Sequence, residues 1–323
     1  MSAAVAAVQI PESSASRRGV ILALAAVYLI WGSTYLAMRV AVEGLPPFMM
    51  ASARFVLTGT ILLLFMRWRG EPWPTWRQWA WATPIGVLMF VLGNGTVALA
   101  EKNISSGIAA VICGTMPLCV AAMSRFFGEK VSVREWVAMA IGFTGVALLS
   151  FGKELRADPA SAALVGVAPI AWGLGSLLAR RLPVAKGFMS AATQMLTGGV
   201  VMAFVSLAAR EQVPVAPPLK SVLAWVYLAT FGSLIAYTAY SWLLTNTRPA
   251  VATSYSYVNP AIAVAIGVAL GGEHAGPEIF AAVALIVVAT VLVITRPAVP
   301  QPQRAAESSD QGVKTNSEVE SAT

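Results

Sequence analysis

The few residues of this chain with a capacity for chemistry sit mostly in the middle of apolar stretches. Trp31, Trp172, Pro117, Tyr237, Tyr257 and Asn259 each fall near the centre of such a run, and Tyr35 lies in the same stretch as Trp31. Indole and phenol rings there can cover an apolar group or face a cation, while the Asn259 amide can hold a polar head. The alternative is that the rings fill space between helices, each needing one polar partner. Pro117 and Pro260 each free a backbone carbonyl one turn earlier, which serves as a cavity ligand or marks a helix hinge.

Two charged residues stand out. Arg54 is about eight residues into its run, roughly 12 Å from the end at 1.5 Å per residue. A cation at that depth is costly unless paired or wetted, so it is a substrate-binding candidate. The competing role is a structural pin that snorkels or holds helix-end carbonyls. Glu101 is seven residues beyond Asn94, hence on the same helical face, near the end of its run. Partial burial would lift its carboxyl towards the working pH and make it a proton-coupling candidate, and pairing with Lys102 or Arg39 is the other reading. Thr253, Ser254, Ser256 and Asn259 make one further run unusually polar, which a membrane helix turns to a cavity or to neighbouring helices.

Other chemistries find no footing. Cys113 and Cys119 are six apart, on different faces of a helix, and His274 has only acidic neighbours, so no metal site and no cofactor is expected. There is no His-Glu-x-x-His, no paired Asp and no P-loop, so neither an intramembrane enzyme nor ATP binding is expected. The formal charge of +7 comes from Lys and Arg set singly or in pairs, without the long basic stripe that nucleic acid would require.

The elements that must position these residues follow from composition. Of the 323 residues 57% are hydrophobic and 11% charged, with a mean hydropathy of +0.71. Runs of about 20 apolar residues match the roughly 30 Å of a bilayer core. The first is Val20 to Met38, and the others are 47 to 66, 79 to 100, 105 to 126, 133 to 151, 162 to 182, 187 to 208, 221 to 245, 249 to 271 and 278 to 295. The first run is too long for a signal-peptide core and lacks a small-residue cleavage site, so it is read as a span. The expected fold is all-α and integral to the membrane, with ten transmembrane helices joined by short turns such as Leu45-Pro46-Pro47. The lipid bilayer is thus its first partner.

Lys and Arg concentrate on one side, from Arg17, Arg18, Arg67, Arg69 and Arg77 through Arg180, Arg181 and Arg248. The positive-inside rule then puts both termini in the cytoplasm, which requires an even number of spans. Residues 1-18 and 297-323 are read as disordered tails.

The chain is also duplicated. Trp31-Gly32 through Arg39 is repeated as Trp172-Gly173 through Arg180, and the Ala-rich stretch with Pro117 is repeated around Pro260, each followed by Gly-Glu. The first unit is 19-152 and the second 161-296. An odd number of spans per unit inserts the copy upside down, so five plus five is an inverted-topology repeat, an arrangement that lets one central site face either side in turn.

These residues carry a resemblance. Ile30-Trp31-Gly32-Ser33-Thr34-Tyr35, Ala53-Arg54-Phe55, Gly93-Asn94-Gly95, Ala100-Glu101, Gly128-Glu129 and Thr253 to Pro260 resemble the EamA-type permeases of the drug/metabolite transporter superfamily, most of all their YedA-like bacterial branch. The match covers nearly the whole membrane region. It implies a ten-helix carrier in the bacterial inner membrane that exports amino acids or related small metabolites. It also implies a central cavity lined by helices 1, 3, 4, 6, 8 and 9, and a basic residue in helix 2, where the second half has Gln194. The rival within transport is an exporter of drugs and lipophilic cations, which would be expected to keep an acid near mid-depth. The rival outside transport is a membrane scaffold or receptor. Oligomeric state is not legible.

Overall fold

The computed structural model describes residues 16–126, 128, 132–150, 159–212 and 214–270, with single positions between 281 and 292. Among these residues every element is helical. With no water to satisfy backbone groups in a hydrocarbon layer, a spanning segment must bond its N–H and C=O groups internally, and helices do so. The elements are α1 (Arg17–Val42), α2 (Pro47–Trp68), α3 (Trp76–Ala100), α4 (Ser106–Cys113), α5 (Met116–Phe126), α6 (Val133–Ser150), α7 (Pro159–Ala179), α8 (Gly187–Ala208), α9 (Leu219–Asn246), α10 (Pro249–Ala252) and α11 (Tyr255–Leu270). Six of them, α1, α2, α3, α7, α8 and α9, are long and apolar enough to cross a membrane. The tenth expected run lies largely outside the described residues, as do His274, most of both tails and the connection 151–158.

Local signals fix the ends. The Ser16 hydroxyl accepts from Gly19 N to start α1, a Thr75/Gln78 capping box starts α3, and Pro47 opens α2 where its missing N–H costs nothing. Exposed Leu29, Leu57, Ile61, Leu64, Phe65 and Phe204 form an outer surface suited to lipid. Exposed Trp68, Trp73 and Trp76 gather beside Arg67, Arg69 and Arg77 at one end, as residues do at a membrane interface.

Successive helices run up and down, as contacts at their ends demonstrate. At the end where α1 begins, here the near end, a Cβ on Gly19 would lie 3.4 Å from the Trp242 ring and Arg180 donates to Thr247 O at 3.0 Å. At the opposite, far end Asn103 Nδ2 donates to Ser161 Oγ at 3.3 Å, and the Glu211 carboxylate accepts from Phe48 N and Met49 N at the start of α2. Two buried apolar clusters stack along the bundle. One, with Leu24, Leu62, Ile85 and Leu243, fills the near half, and one, with Met38, Val97, Ile104 and Val165, fills the far half.

The two halves correspond in detail. α2 and α8 have 22 residues each and pack antiparallel at close range. A Cβ on Gly59 would lie 3.0 Å from Leu196 N, and Ser52 Oγ donates to Gly199 O at 2.9 Å. Small residues of this kind let membrane helices approach without a hydrophobic drive. Both helices end in one motif: Gly70 N and Glu71 N bond to Arg67 O and Met66 O, and Arg210 N and Glu211 N to Leu207 O and Ser206 O. The motif needs a left-handed residue, which is Gly70 at φ 88° in one half and Arg210 at φ 53° in the other.

Two features depart from the regular helices expected from the sequence. α3 and α9 each carry a π-helical stretch, Val87–Gly95 and Leu228–Tyr237. The fourth and ninth runs, read as single helices, are divided by turns at Gly114-Thr115 and Thr253-Ser254. At both breaks a hydroxyl bonds three residues back, Thr115 Oγ1 to Ile112 O and Ser254 Oγ to Val251 O, each at 2.7 Å. Such a bond competes with the helical ladder and turns the chain.

Candidate functional site

Between the two apolar clusters the helices leave a cavity of about 770 Å³, counting the part open to solvent. The divided and π-helical segments form much of its wall. Phe90, Gly93 and Asn94 come from the π stretch of α3, Gly232 and Tyr237 from that of α9, and Cys113, Met116, Tyr255 and Ser256 from either side of the helix breaks. Such irregular backbone is tolerated at membrane depth where it lines a cavity or is buried in protein, and π segments recur at functional sites.

The floor towards the near end is aromatic. Trp31 meets Trp172 edge-on at 5.6 Å, Tyr255 at 4.7 Å and Tyr240 at 5.0 Å between ring centroids. Phe90 and Tyr237 extend the packing at 6.0 and 6.2 Å from Trp172. Three polar contacts hold the rings. Trp31 Nε1 donates to Gly232 O at 2.9 Å, Tyr240 Oη lies 2.7 Å from Ser176 Oγ, and Tyr237 Oη donates to Gln194 Oε1 at 2.6 Å. Gly93 is required here, since a Cβ on it would stand 2.9 Å from the Trp172 ring.

Polar groups enter from the wall. Arg54 is 4% exposed, donates from Nη2 to Asn94 Oδ1 at 3.1 Å and has its Cζ 4.2 Å from the centroid of the Phe55 ring. Its Nε is buried without a hydrogen-bond partner, and no acid pairs with it among the described residues. Asn259 is 2% exposed and its Oδ1 is likewise unpartnered. The cavity therefore offers a desolvated cation and an open carbonyl above a floor of π faces. That set can receive an anionic head and an N–H donor together with an apolar group.

Seven of the eight expected substrate-binding residues, Trp31, Tyr35, Arg54, Asn94, Trp172, Tyr237 and Asn259, line this cavity. Tyr257 is not among the residues that line it. Its ring lies against Gly142 of α6 and Ala289, where a Cβ on Gly142 would come within 2.6 Å of it. The reason is helical phase: Tyr255 and Asn259 are four apart on one face, whereas Tyr257 is turned by two residues to another. Depth alone misses that difference, and the i, i+4 pairing with Asn259 was the available signal for Tyr255. The second helix, absent from the expected lining, contributes Arg54 and Phe55. Pro117 stands at the second position of α5, just past the Thr115 turn, and Pro260 lies inside α11. Pro169, inside α7 and in the cavity wall, was missed.

Glu101 caps the far end of α3, one residue beyond the span and about 10 Å further along the helix axis than Asn94. It is outside the cavity lining, 2% exposed, and neither carboxylate oxygen has a hydrogen-bond partner. It pairs neither with Lys102, which is exposed, nor with Arg39 in an ion-pair contact. Burial pushes its carboxyl well above the usual range and the nearby Arg39 charge pulls it back.

The EamA-like transporter family matches this chain twice, over residues 17–151 and 160–295. A protein of Escherichia coli K12 named as the uncharacterized inner membrane transporter YedA is 45% identical over 272 residues, 84% of this chain and 89% of that protein. The Bacillus subtilis protein named as the uncharacterized transporter YdfC is 25% identical over 73% of this chain and 78% of its own length. Protein PecM of Dickeya dadantii is 25% identical over 83% of this chain and 91% of its own. One solved crystal structure superimposes with a TM-score of 0.66 at 21% identity, covering 86% of this chain and 96% of that one. It shares the fold.

Proposed function

The chain belongs to the EamA-like transporter family, and from that premise we propose that it is a secondary carrier exporting amino acids or closely related small metabolites across the bacterial inner membrane by alternating access. As a member of a transporter family it is a multi-pass membrane protein and not an enzyme. The name of the 45% identical relative supports the inner-membrane location. Ten spans in two inverted units of five, with both termini cytoplasmic, complete the reading, which makes the near end cytoplasmic.

The observation that carries the substrate class is Arg54, a buried cation in the cavity wall with an unpartnered Nε and no acid paired with it among the described residues. A substrate carboxylate would supply the missing charge, because a desolvated cation gains far more from an anion than from water alone. Asn259 Oδ1 can accept from the substrate ammonium, and the Trp31, Trp172 and Phe90 rings can cover an apolar side chain. A lipophilic cation would meet the same rings and be repelled by Arg54. The test is purified protein in proteoliposomes with amino acids and lipophilic cations, with and without a pH gradient. Uptake of zwitterions is expected. Flux of lipophilic cations alone would overturn the substrate class, and no flux at all would favour a scaffold or receptor.

Glu101 is the proton-coupling group in this reading. Its buried, unpartnered carboxyl is held protonated in the state seen in this structure. Because burial in this state raises its affinity for a proton, the state is favoured at low pH and loses this advantage as pH rises through the shifted value. Glu101→Gln, which mimics the protonated form, is expected to remove the dependence of transport on a pH gradient while substrate binding stays measurable. Unchanged gradient dependence would reduce Glu101 to a structural residue.

A further inference from the structure

The repeat makes it possible to ask which contacts one half makes and the other leaves unmade. Trp31 and Arg39 in α1 correspond to Trp172 and Arg180 in α7 at an offset of 141 residues. The π stretches begin at Val87 and Leu228, at that same offset. At the near end Arg180 donates from Nη1 to Leu244 O and to Thr247 O, grasping the last turn of α9. A cation at a helix C-terminus is favoured by the unsatisfied carbonyls and the dipole there. The grasp ties α7 to α9 beneath the aromatic floor.

The same offset carries Leu244 and Thr247 onto Asn103 and Ser106, at the far end of α3 and the start of α4. Here the contact is absent. The Arg39 guanidinium has no hydrogen bond or ion pair among the described residues, although it stands close enough to Glu101 to act on it through space. Both Glu101 oxygens and the Ser106 hydroxyl are buried and without partners. A donor without acceptors thus faces acceptors without donors at the place where the other half has made its bond. Buried polar groups left unpaired are costly, so such a set persists where another state satisfies it.

We propose that Arg39 and Arg180 are exchangeable latches: Arg180 on the end of α9 shuts the near side in this structure, and Arg39 shuts the far side by closing onto Glu101 and the Asn103–Ser106 turn when Arg180 releases. This deepens the alternating-access reading and rests on it. Inverted repeats exchange conformations between halves, and a contact made in one half is the template for the other half in the opposite state. When Arg39 engages Glu101, the carboxyl gives up its proton to water and the resulting carboxylate pairs with the guanidinium. Among the described residues, the titratable and charged groups facing Glu101 are Arg39 and Tyr35 of α1 and Cys113 of α4, with Lys102 exposed beside it. Proton loss therefore accompanies far-side closure.

The experiment reads which face of the membrane reaches the cavity and needs no substrate. Ser256, in the cavity wall, is replaced by Cys in a background with Cys113→Ser and Cys119→Ser. A membrane-impermeant maleimide is then applied to right-side-out and to inverted membrane vesicles. The wild-type latches are expected to give labelling mainly from the far face. Arg180→Gln should shift the ratio towards the near face by about fivefold or more, the lower range of coupling between sites. Arg39→Gln should shift it the other way, and so should Glu101→Gln. Raising the pH should move the parent towards near-face labelling and leave Glu101→Gln unmoved. If Arg180→Gln does not fold, Arg180→Lys keeps the charge with one donor group and should shift the ratio partway. Shifts of Arg39→Gln and Arg180→Gln in the same direction, or no shift in either, would overturn the latches. Because flux in proteoliposomes is measured separately, a carrier with unresponsive labelling loses only the latches, and responsive labelling without flux loses only the transport reading.

Discussion

Arg54→Gln is expected to weaken binding of a carboxylate-bearing substrate by about 30-fold to 1,000-fold, the equivalent of roughly 2 to 4 kcal/mol. The size of the effect follows from where the guanidinium sits. It is buried in the cavity wall, bonded among the described residues only to Asn94 Oδ1 at 3.1 Å and flanked by the Phe55 ring, with Nε unsatisfied. Gln keeps a hydrogen-bond donor and removes the charge, so the loss isolates the ionic contribution. The check is equilibrium binding to detergent-purified protein, with the amide or ester of the same compound as the comparison. Those neutral analogues should bind Arg54→Gln no worse than they bind the wild type. If Arg54 is only a structural pin, thermal stability will fall while the folded fraction binds the carboxylate unchanged, and the carboxylate subsite is then lost.

Trp172→Ala is expected to weaken binding by about 2-fold to 30-fold, from the roughly 0.5 to 2 kcal/mol of a stacking or cation contact. The indole contacts Trp31, Phe90, Tyr237 and Tyr240, so its removal also opens a void in the floor. Large-to-small changes in a packed interior cost stability in their own right, commonly about 3 to 5 kcal/mol for Trp→Ala. Trp172→Phe is therefore measured alongside, since it keeps most of the volume and a π face, and it should recover both stability and much of the affinity. The comparison is Trp136 in α6, which is 41% exposed and outside the cavity. Trp136→Ala should leave binding of the folded fraction unchanged. Equal losses at the two tryptophans would mean that packing explains the aromatic cluster.

Much of the architecture was legible before any coordinates, because the bilayer imposes a rule that sequence displays directly. A span must be about 20 apolar residues long and must be a helix, so length and hydropathy located α1, α2, α3, α7, α8 and α9. The duplication was legible as well, since Trp31-Gly32 to Arg39 and Trp172-Gly173 to Arg180 keep the Trp, Gly, Leu and Arg at the same spacing. Arg54 and Asn259 were legible for an energetic reason: polar groups at that depth are too costly to be incidental.

Tertiary structure decided what depends on helical phase and on contacts between distant segments. Tyr255 rather than Tyr257 faces the cavity because a helix turns by about 100° per residue, and depth in the membrane carries no information on that angle. The π stretches at Val87–Gly95 and Leu228–Tyr237 shift the phase again, and apolar residues on every face of a buried membrane helix leave no periodic mark of it. The states of Arg39 and Arg180 differ although the two motifs read alike. Their targets lie more than 60 residues further along the chain, on helices brought alongside only by folding. Sequence thus determined that the chain spans a membrane as two related halves, whereas the packing of those halves decided which side chains share a cavity and which of the two arginines makes its bond.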